Sequence, residues 1–217
     1  MTAQEGETIA AISRTLPGPA GYMCGLTWDG THLWHSDQDA GKIFAIDPAD
    51  GRVVREFGFA SVRADLAFDG TRLAQVGGRP KRMLVIDRET GHRHDEKQVL
   101  PASGRLTGAE YGPEGLWMCL REPTVVQLRD AEAMTVVRQY PARGVSPSGL
   151  TYADGVVVHG DFDDAMLYAI DATTGRNLGA VRVPGRPTGL TWDGRYVWYC
   201  DFAARSFRAV ELDQILP

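Results

Sequence analysis

Apolar residues along this chain fall into short runs, each cut off by Asp, Gly or Pro. No stretch sustains the 3.6-residue apolar period of an amphipathic helix. The runs read instead as β-strands, four to a unit. In the first unit they cover residues 25–28, 32–36, 42–46 and 52–57. Asp29-Gly30 sits between the first two and predicts a tight hairpin, repeated by Asp69-Gly70 and Asp193-Gly194. Between the third and fourth strands, Asp47…Gly51, Asp87…Gly91 and Asp171…Gly175 predict turns. There Asp bonds the turn backbone and Gly supplies the positive φ.

One phrase opens every unit. It reads Gly25-Leu-Thr-Trp-Asp29, Asp65-Leu-Ala-Phe-Asp69, Gly108-Ala-Glu-Tyr-Gly112, Gly149-Leu-Thr-Tyr-Ala153 and Gly189-Leu-Thr-Trp-Asp193, with starts 40, 43, 41 and 40 residues apart. Four-stranded antiparallel units at this period predict an all-β fold, a five-bladed β-propeller. The fifth unit supplies three strands, at residues 189–192, 196–200 and 206–211. Residues 8–13 read as the missing fourth, so the N-terminal strand would complete the last blade, close the ring and remove two sheet edges. An open solenoid would leave that match unused. Residues 1–217 thus read as a single propeller domain, with blades starting near 25, 65, 108, 149 and 189.

Composition narrows the function classes. Hydrophobic content of 43% and charged content of 24% are ordinary for a globular protein. A net charge of −5 offers no electrostatic reason to expect nucleic acid. No apolar run approaches the ~20 residues of a membrane helix. Residues 1–13 lack the basic-then-apolar order of a signal peptide, so the expectation is a cytoplasmic protein with reduced Cys24, Cys119 and Cys200. Ring closure leaves few free edges, which suits a monomer or weak dimer.

The phrase beginning with Gly-Leu, the second strands LWHSD (33–37) and VWYCD (197–201), and the third strands KIFAID (42–47) and MLYAID (166–171) resemble the bacterial propellers with YVTN, YWTD and NHL-like repeats. In blade count and layout the chain also resembles the glutamine cyclotransferase (plant-type glutaminyl cyclase) family. The family's Phe-Thr-Gln-Gly-Leu start is written here as Tyr22-Met-Cys-Gly-Leu26. The place of its acidic residue at the second blade entrance holds Val62-Arg-Ala-Asp-Leu66. The resemblance implies a small-molecule site at one end of the propeller axis, with cyclotransferase-, lactonase- or lyase-like chemistry.

The strand order puts the residues before each first strand and after each second strand on one face near the axis. Those before the phrases are Cys24, Ala64, Thr107, Ser148 and Thr188, small groups suited to a channel rim or to capping backbone. After the second strands, blades one, four and five keep Asp37, Asp161 and Asp201. Blades two and three put Arg79, Lys81, Arg82 and Arg121 nearby, with Arg63 on the same side. One half of the face should therefore be acidic and the other basic, as a zwitterionic or anionic ligand would require. The repeated Asp also has a structural reading, as acceptor for the following turn.

Glu110 is the sharpest break in the repeat, standing where other units have Thr27, Ala67, Thr151 and Thr191. It reads either as a buried acid able to move a proton or as the partner of Arg105 or Arg121. His159 and His35 are the other candidate proton carriers. Cys24, Cys119, Cys200, His35 and His159 raise a thiolate–imidazole metal site, but no CxxC, HxH or HExxH spacing supports one. Trp28, Trp34, Trp117, Trp192 and Trp198 recur at matching positions and read as blade-to-blade packing.

Three readings follow. The chain is a small-molecule enzyme, with Glu110, His159 or His35 moving protons and Cys24, Arg63, Arg121, Asp37, Asp161, Asp201, Ser148 and Thr188 holding the substrate. Alternatively it is a non-catalytic ligand- or protein-binding module, or a metal-binding propeller. No cofactor is indicated by any motif.

Overall fold

A computed structural model describes residues 9–19, 21–100 and 105–217. It contains five four-stranded antiparallel sheets arranged in a ring: a five-bladed β-propeller. The innermost strands are Met23–Trp28, Val62–Phe68, Leu106–Gly112, Pro147–Ala153 and Pro187–Trp192. Each packs against the innermost strand of the next blade, and the fifth packs against the first. Apart from one 3-10 turn at Leu212–Gln214, the described residues form no helix.

The closing strand comes from the N-terminal region, but it lies at Arg14–Pro17 rather than at residues 8–13. It pairs antiparallel with Ser206–Glu211, Arg14 opposite Ala209. Within 8–13, Thr8 lies outside the described residues. Ile9 instead bridges to Arg182 of blade four, and Ala11 N–H donates to Gln214 Oε1 at 2.7 Å. That segment straps blade four to the end of blade five.

The predicted turns form for the predicted reasons. Asp29 Oδ1 accepts from the N–H groups of Thr31 (2.8 Å) and His32 (2.7 Å), and Gly30 takes φ +92°. Asp29 Oδ2 also accepts from the Trp34 indole at 2.8 Å, and Asp193 holds Trp198 the same way at 2.6 Å. Blade three has no Asp in this turn, and its Trp117 indole nitrogen is buried without a partner.

Five apolar clusters hold the ring, each joining two neighbouring blades. Leu26, Leu66, Leu150 and Leu190, the second residues of four phrases, wedge into them and are fully buried. Trp34, Trp117 and Trp198 fill three of these interfaces, as packing residues. Outer strands such as Val53–Gly58 and Arg93–Gln98 are largely exposed.

Candidate functional site

The innermost strands run into the ring with a two-residue period, so the first and third residues of each phrase face the axis while the second faces a neighbouring blade. Just before the phrase, each innermost strand bulges. The register slips between Met23 and Gly25, Val62 and Leu66, Leu106 and Gly108, Pro147 and Gly149, and Pro187 and Leu190. A bulge re-aims the extra residue. Here it turns Cys24, Arg63, Ala64, Thr107, Ser148 and Thr188 toward one open cavity of about 210 Å³ at the mouth of the axis.

The axis below the mouth is filled in two layers. The first contains Gly25, Gly108, Gly149 and Gly189. A Cβ at Gly25, Gly149 or Gly189 would come within 2.4 Å of backbone in the next blade. Asp65 takes the fifth place, in the blade whose bulge is widest. Its fully buried carboxyl accepts Leu26 N–H (3.2 Å) and Leu66 N–H (3.0 Å) at Oδ1, and Ala109 N–H (3.2 Å) and Leu150 N–H (3.4 Å) at Oδ2. One side chain thus ties four blades together. Burial, with the nearby Glu110 adding to it, pushes its pKa well above the usual carboxylate range.

The second layer is the threonine position, and Glu110 occupies it. The Glu110 carboxyl accepts from Thr27 Oγ1 (3.1 and 3.2 Å), Thr191 Oγ1 (3.1 Å) and Tyr111 N–H (3.1 Å). No arginine reaches it among the described residues, so the expected pairing with Arg105 or Arg121 is replaced by hydroxyls and backbone. Burial raises its pKa to about 8. The four small residues of this layer leave the space that the one long side chain fills.

His35 and His159 lie away from the mouth. Each sits mid-way along a second strand, in register with the phrase leucine, where other blades have Gln75, Met118 and Tyr199. His35 Nδ1 faces Gly25 O at 2.9 Å, so that nitrogen carries the proton, and its ring packs on Phe44 and Phe207. His159 packs on Tyr168. Burial lowers both pKa values to about 4 and keeps the rings neutral. Cys200 Sγ comes within 3.7 Å of His35 Nδ1, but the described residues contain no group of three His, Cys, Asp or Glu placed to hold a metal ion. Burial pushes Cys24 and Cys119 up to about 12, so both are thiols.

The expected acidic half of the face does not reach the cavity. Asp37, Asp161 and Asp201 are fully buried in the turns that follow their strands. Asp37 accepts Ala40 N–H (2.7 Å), and Asp161 accepts the N–H groups of Asp164 (2.9 Å) and Ser146 (2.6 Å). Asp201 accepts Ala203 N–H (3.0 Å) and pairs with Arg208 (3.0 Å). The structural reading of the repeated Asp therefore describes all three. The half of the mouth assigned to them is aromatic instead. Phe162 and Phe202 follow two of these aspartates and meet edge to face, centroids 5.6 Å apart, and Tyr22 meets Phe202 at 4.9 Å.

The basic half differs in membership from the one expected: Arg79 and Arg82 do not line the cavity, Arg82 pairing with Glu96 at 2.6 Å, and Arg105 joins the others. Arg63, Lys81, Arg105 and Arg121 all line the cavity, and none of the described lining residues is acidic. None of the four has a carboxylate partner among the described residues. Arg121 Nε donates to Pro147 O at 2.9 Å, which orients the guanidinium and leaves its terminal nitrogens to the cavity. Arg63 donates to Val62 O, and its Nε is buried without a partner. The rim hydroxyls serve the scaffold as well as the cavity: Ser148 donates to Pro187 O (2.6 Å) and Thr188 to Met23 O (3.0 Å), each crossing to the next blade.

Fold and site together define a five-bladed propeller with a closed axis and a basic, half-aromatic mouth. No protein-family model matches the chain, and no curated protein matches it in sequence. Solved structures similar to it include a glutaminyl cyclase of Myxococcus xanthus (TM-score 0.77, 17% identity, covering 93% of this chain and 95% of that one). They also include a catalytically inactive virginiamycin B lyase from Staphylococcus aureus with quinupristin (TM-score 0.56, 16% identity, 91% and 68%). A third is the β-propeller domain of Cps50 (Swd1) from Myceliophteria thermophila (TM-score 0.53, 12% identity, 92% and 86%). At these identities the likeness establishes the fold, and an enzyme and a propeller domain can share it without sharing an activity.

Proposed function

We propose that this chain binds a small anionic molecule, one carrying a carboxylate or phosphate on an apolar body, in the cavity at the propeller mouth. The observation that carries this reading is the cluster of Arg63, Lys81, Arg105 and Arg121 around one cavity, with no carboxylate partner among the described residues. The chain has 28 acidic residues against 23 lysines and arginines, yet no acidic residue lines this cavity among the described residues. Guanidinium groups suit planar, two-point recognition of carboxylate or phosphate. Tyr22, Phe162 and Phe202 offer the opposite wall to an apolar part.

A cyclotransferase-, hydrolase- or lyase-like enzyme is the catalytic form of this reading. It would draw its reacting groups from the cavity wall, since His35, His159 and Glu110 line none of it. Calorimetric titration with pyruvate and with inorganic phosphate at low ionic strength tests the binding. Arg121→Ala is expected to weaken binding roughly tenfold, the worth of a charge-assisted hydrogen bond, without lowering the melting temperature. Unchanged affinity in that variant, or affinity indifferent to salt, would overturn the reading.

A further inference from the structure

We propose that Lys81 is an imine-forming amine, and that the anion held at the propeller mouth is a small 2-oxo acid whose carbonyl carbon condenses with Lys81 Nζ. This rests on the anion-binding reading and names the substrate class and the reacting atom within it.

The chain contains twenty arginines and three lysines. Lys42 is paired with Glu56 at 2.5 Å and Lys97 with Glu132 at 2.8 Å, and both face the outside of a blade. Those carboxylates occupy the two amines. Lys81 lines the cavity, and no carboxylate pairs with it among the described residues. Its Nζ donates to Leu106 O at 2.6 Å, which anchors the amine where blades two and three meet. A neutral amine satisfies that bond with one N–H and keeps its lone pair for an electrophile.

The neighbours supply what condensation requires. Arg63, Arg105 and Arg121 cannot act as the nucleophile, since a guanidinium stays protonated in proteins. They can hold the carboxylate of a 2-oxo acid, which places the adjacent carbonyl beside the amine. Burial, then the charges of Arg105 and Arg121, lower the Lys81 pKa to about 8. A desolvated lysine next to other cations is the usual form of a Schiff-base lysine.

The step balances without a further reactant. The nitrogen lone pair forms the C–N bond as the carbonyl π pair moves to oxygen, and one amine proton transfers to that oxygen. The resulting hydroxyl then leaves with the second amine proton as water, and the nitrogen pair closes the C=N bond. Nothing is oxidised or reduced.

Incubation of the full chain with pyruvate or phenylpyruvate, reduction with cyanoborohydride and peptide mass mapping test the inference. The expected result is one reduced adduct, at Lys81 and not at Lys42 or Lys97. It is retained in Lys42→Arg and lost in Lys81→Arg, which keeps the charge and the donor to Leu106 O. A wild-type chain that binds pyruvate by calorimetry but gives no adduct, or labels the three lysines alike, overturns the imine and leaves the anion site standing. Absence of both binding and adduct overturns both.

Discussion

At the mouth of the propeller, Arg63, Lys81, Arg105 and Arg121 gather around an open cavity with no counter-charge among the described residues. A few residues deeper, Asp65 and Glu110 are wholly enclosed and fully supplied with donors. The innermost strands reach both regions, and at the mouth the ends of neighbouring strands and loops join them. At the mouth, a bulge ahead of each phrase turns side chains out of the sheet, and solvent makes charge tolerable there. Along the axis the glycine layer brings backbones into contact, and an ion would lose its hydration. The carboxyls answer by raised pKa values and by bonds to backbone and hydroxyl groups. Departures from the repeat therefore mean different things at different depths: in the axis they lock the ring, and at the mouth they leave charged groups facing an open cavity.

The strongest way to break the deeper region is Gly189→Ala. The new methyl would meet Leu26 N at 2.4 Å and Gly25 C at 2.6 Å, and two packed backbones cannot turn aside. A loss of about 3 kcal/mol in denaturant unfolding is expected. Asp65→Ala comes next. It leaves four N–H groups from four blades without an acceptor, and about 2 kcal/mol should be lost. Anion binding by the folded fraction should persist if the axis and mouth act separately.

Glu110→Gln sharpens the contrast through pH. The Glu110 pKa is raised in the fold, so its contribution is full below the unfolded value, near 4.5, and is lost as pH rises to about 8. His35 and His159, lowered to about 4, act in the opposite direction between about 4 and 6.5. Above pH 6.5 their opposing effect fades as the unfolded imidazoles give up their remaining protons. The wild-type chain should lose roughly 2 kcal/mol at most between pH 6.5 and 8, and the Gln variant should flatten most of that slope. Asp65, raised in the same sense, accounts for any remainder. An unchanged slope in chemical denaturation would show that Glu110 does not titrate in this window and leave the slope to Asp65.

Much of the architecture was legible because its signals are local. Asp29-Gly30 and Asp193-Gly194 carry their own turn chemistry, and the phrase repeats with them. The closing strand was placed too early because an outer strand buries little. Of Arg14–Pro17 only Leu16 is fully covered, so its pattern is weaker than that of residues 8–13. Cys24, Arg63, Ser148 and Thr188 line the cavity, a position that follows from their place in the repeat. For Asp37, Asp161 and Asp201 the sequence left two readings open, because turn acceptors and ligand acceptors look alike there, and the fold places them in the turns. Lys81 was expected on this face beside Arg121, whereas Arg105 lies outside the repeated positions and only folding brings it there. Tyr22, Phe162 and Phe202 had one available signal, the two phenylalanines directly after a second-strand Asp. Asp65 had another: it alone replaces Gly at the head of the phrase.

The pairing of Arg14–Pro17 with Ser206–Glu211 also orders events at the ribosome. The closing strand is made first and its partner roughly 190 residues later. Through nearly all of synthesis the nascent chain must carry an unmated strand and, once blades begin to form, open sheet edges. The blades can assemble one after another from nearby sequence, but the ring cannot lock until the last of them has emerged. A newly made chain is thus most open to misassociation while its own beginning waits for its end.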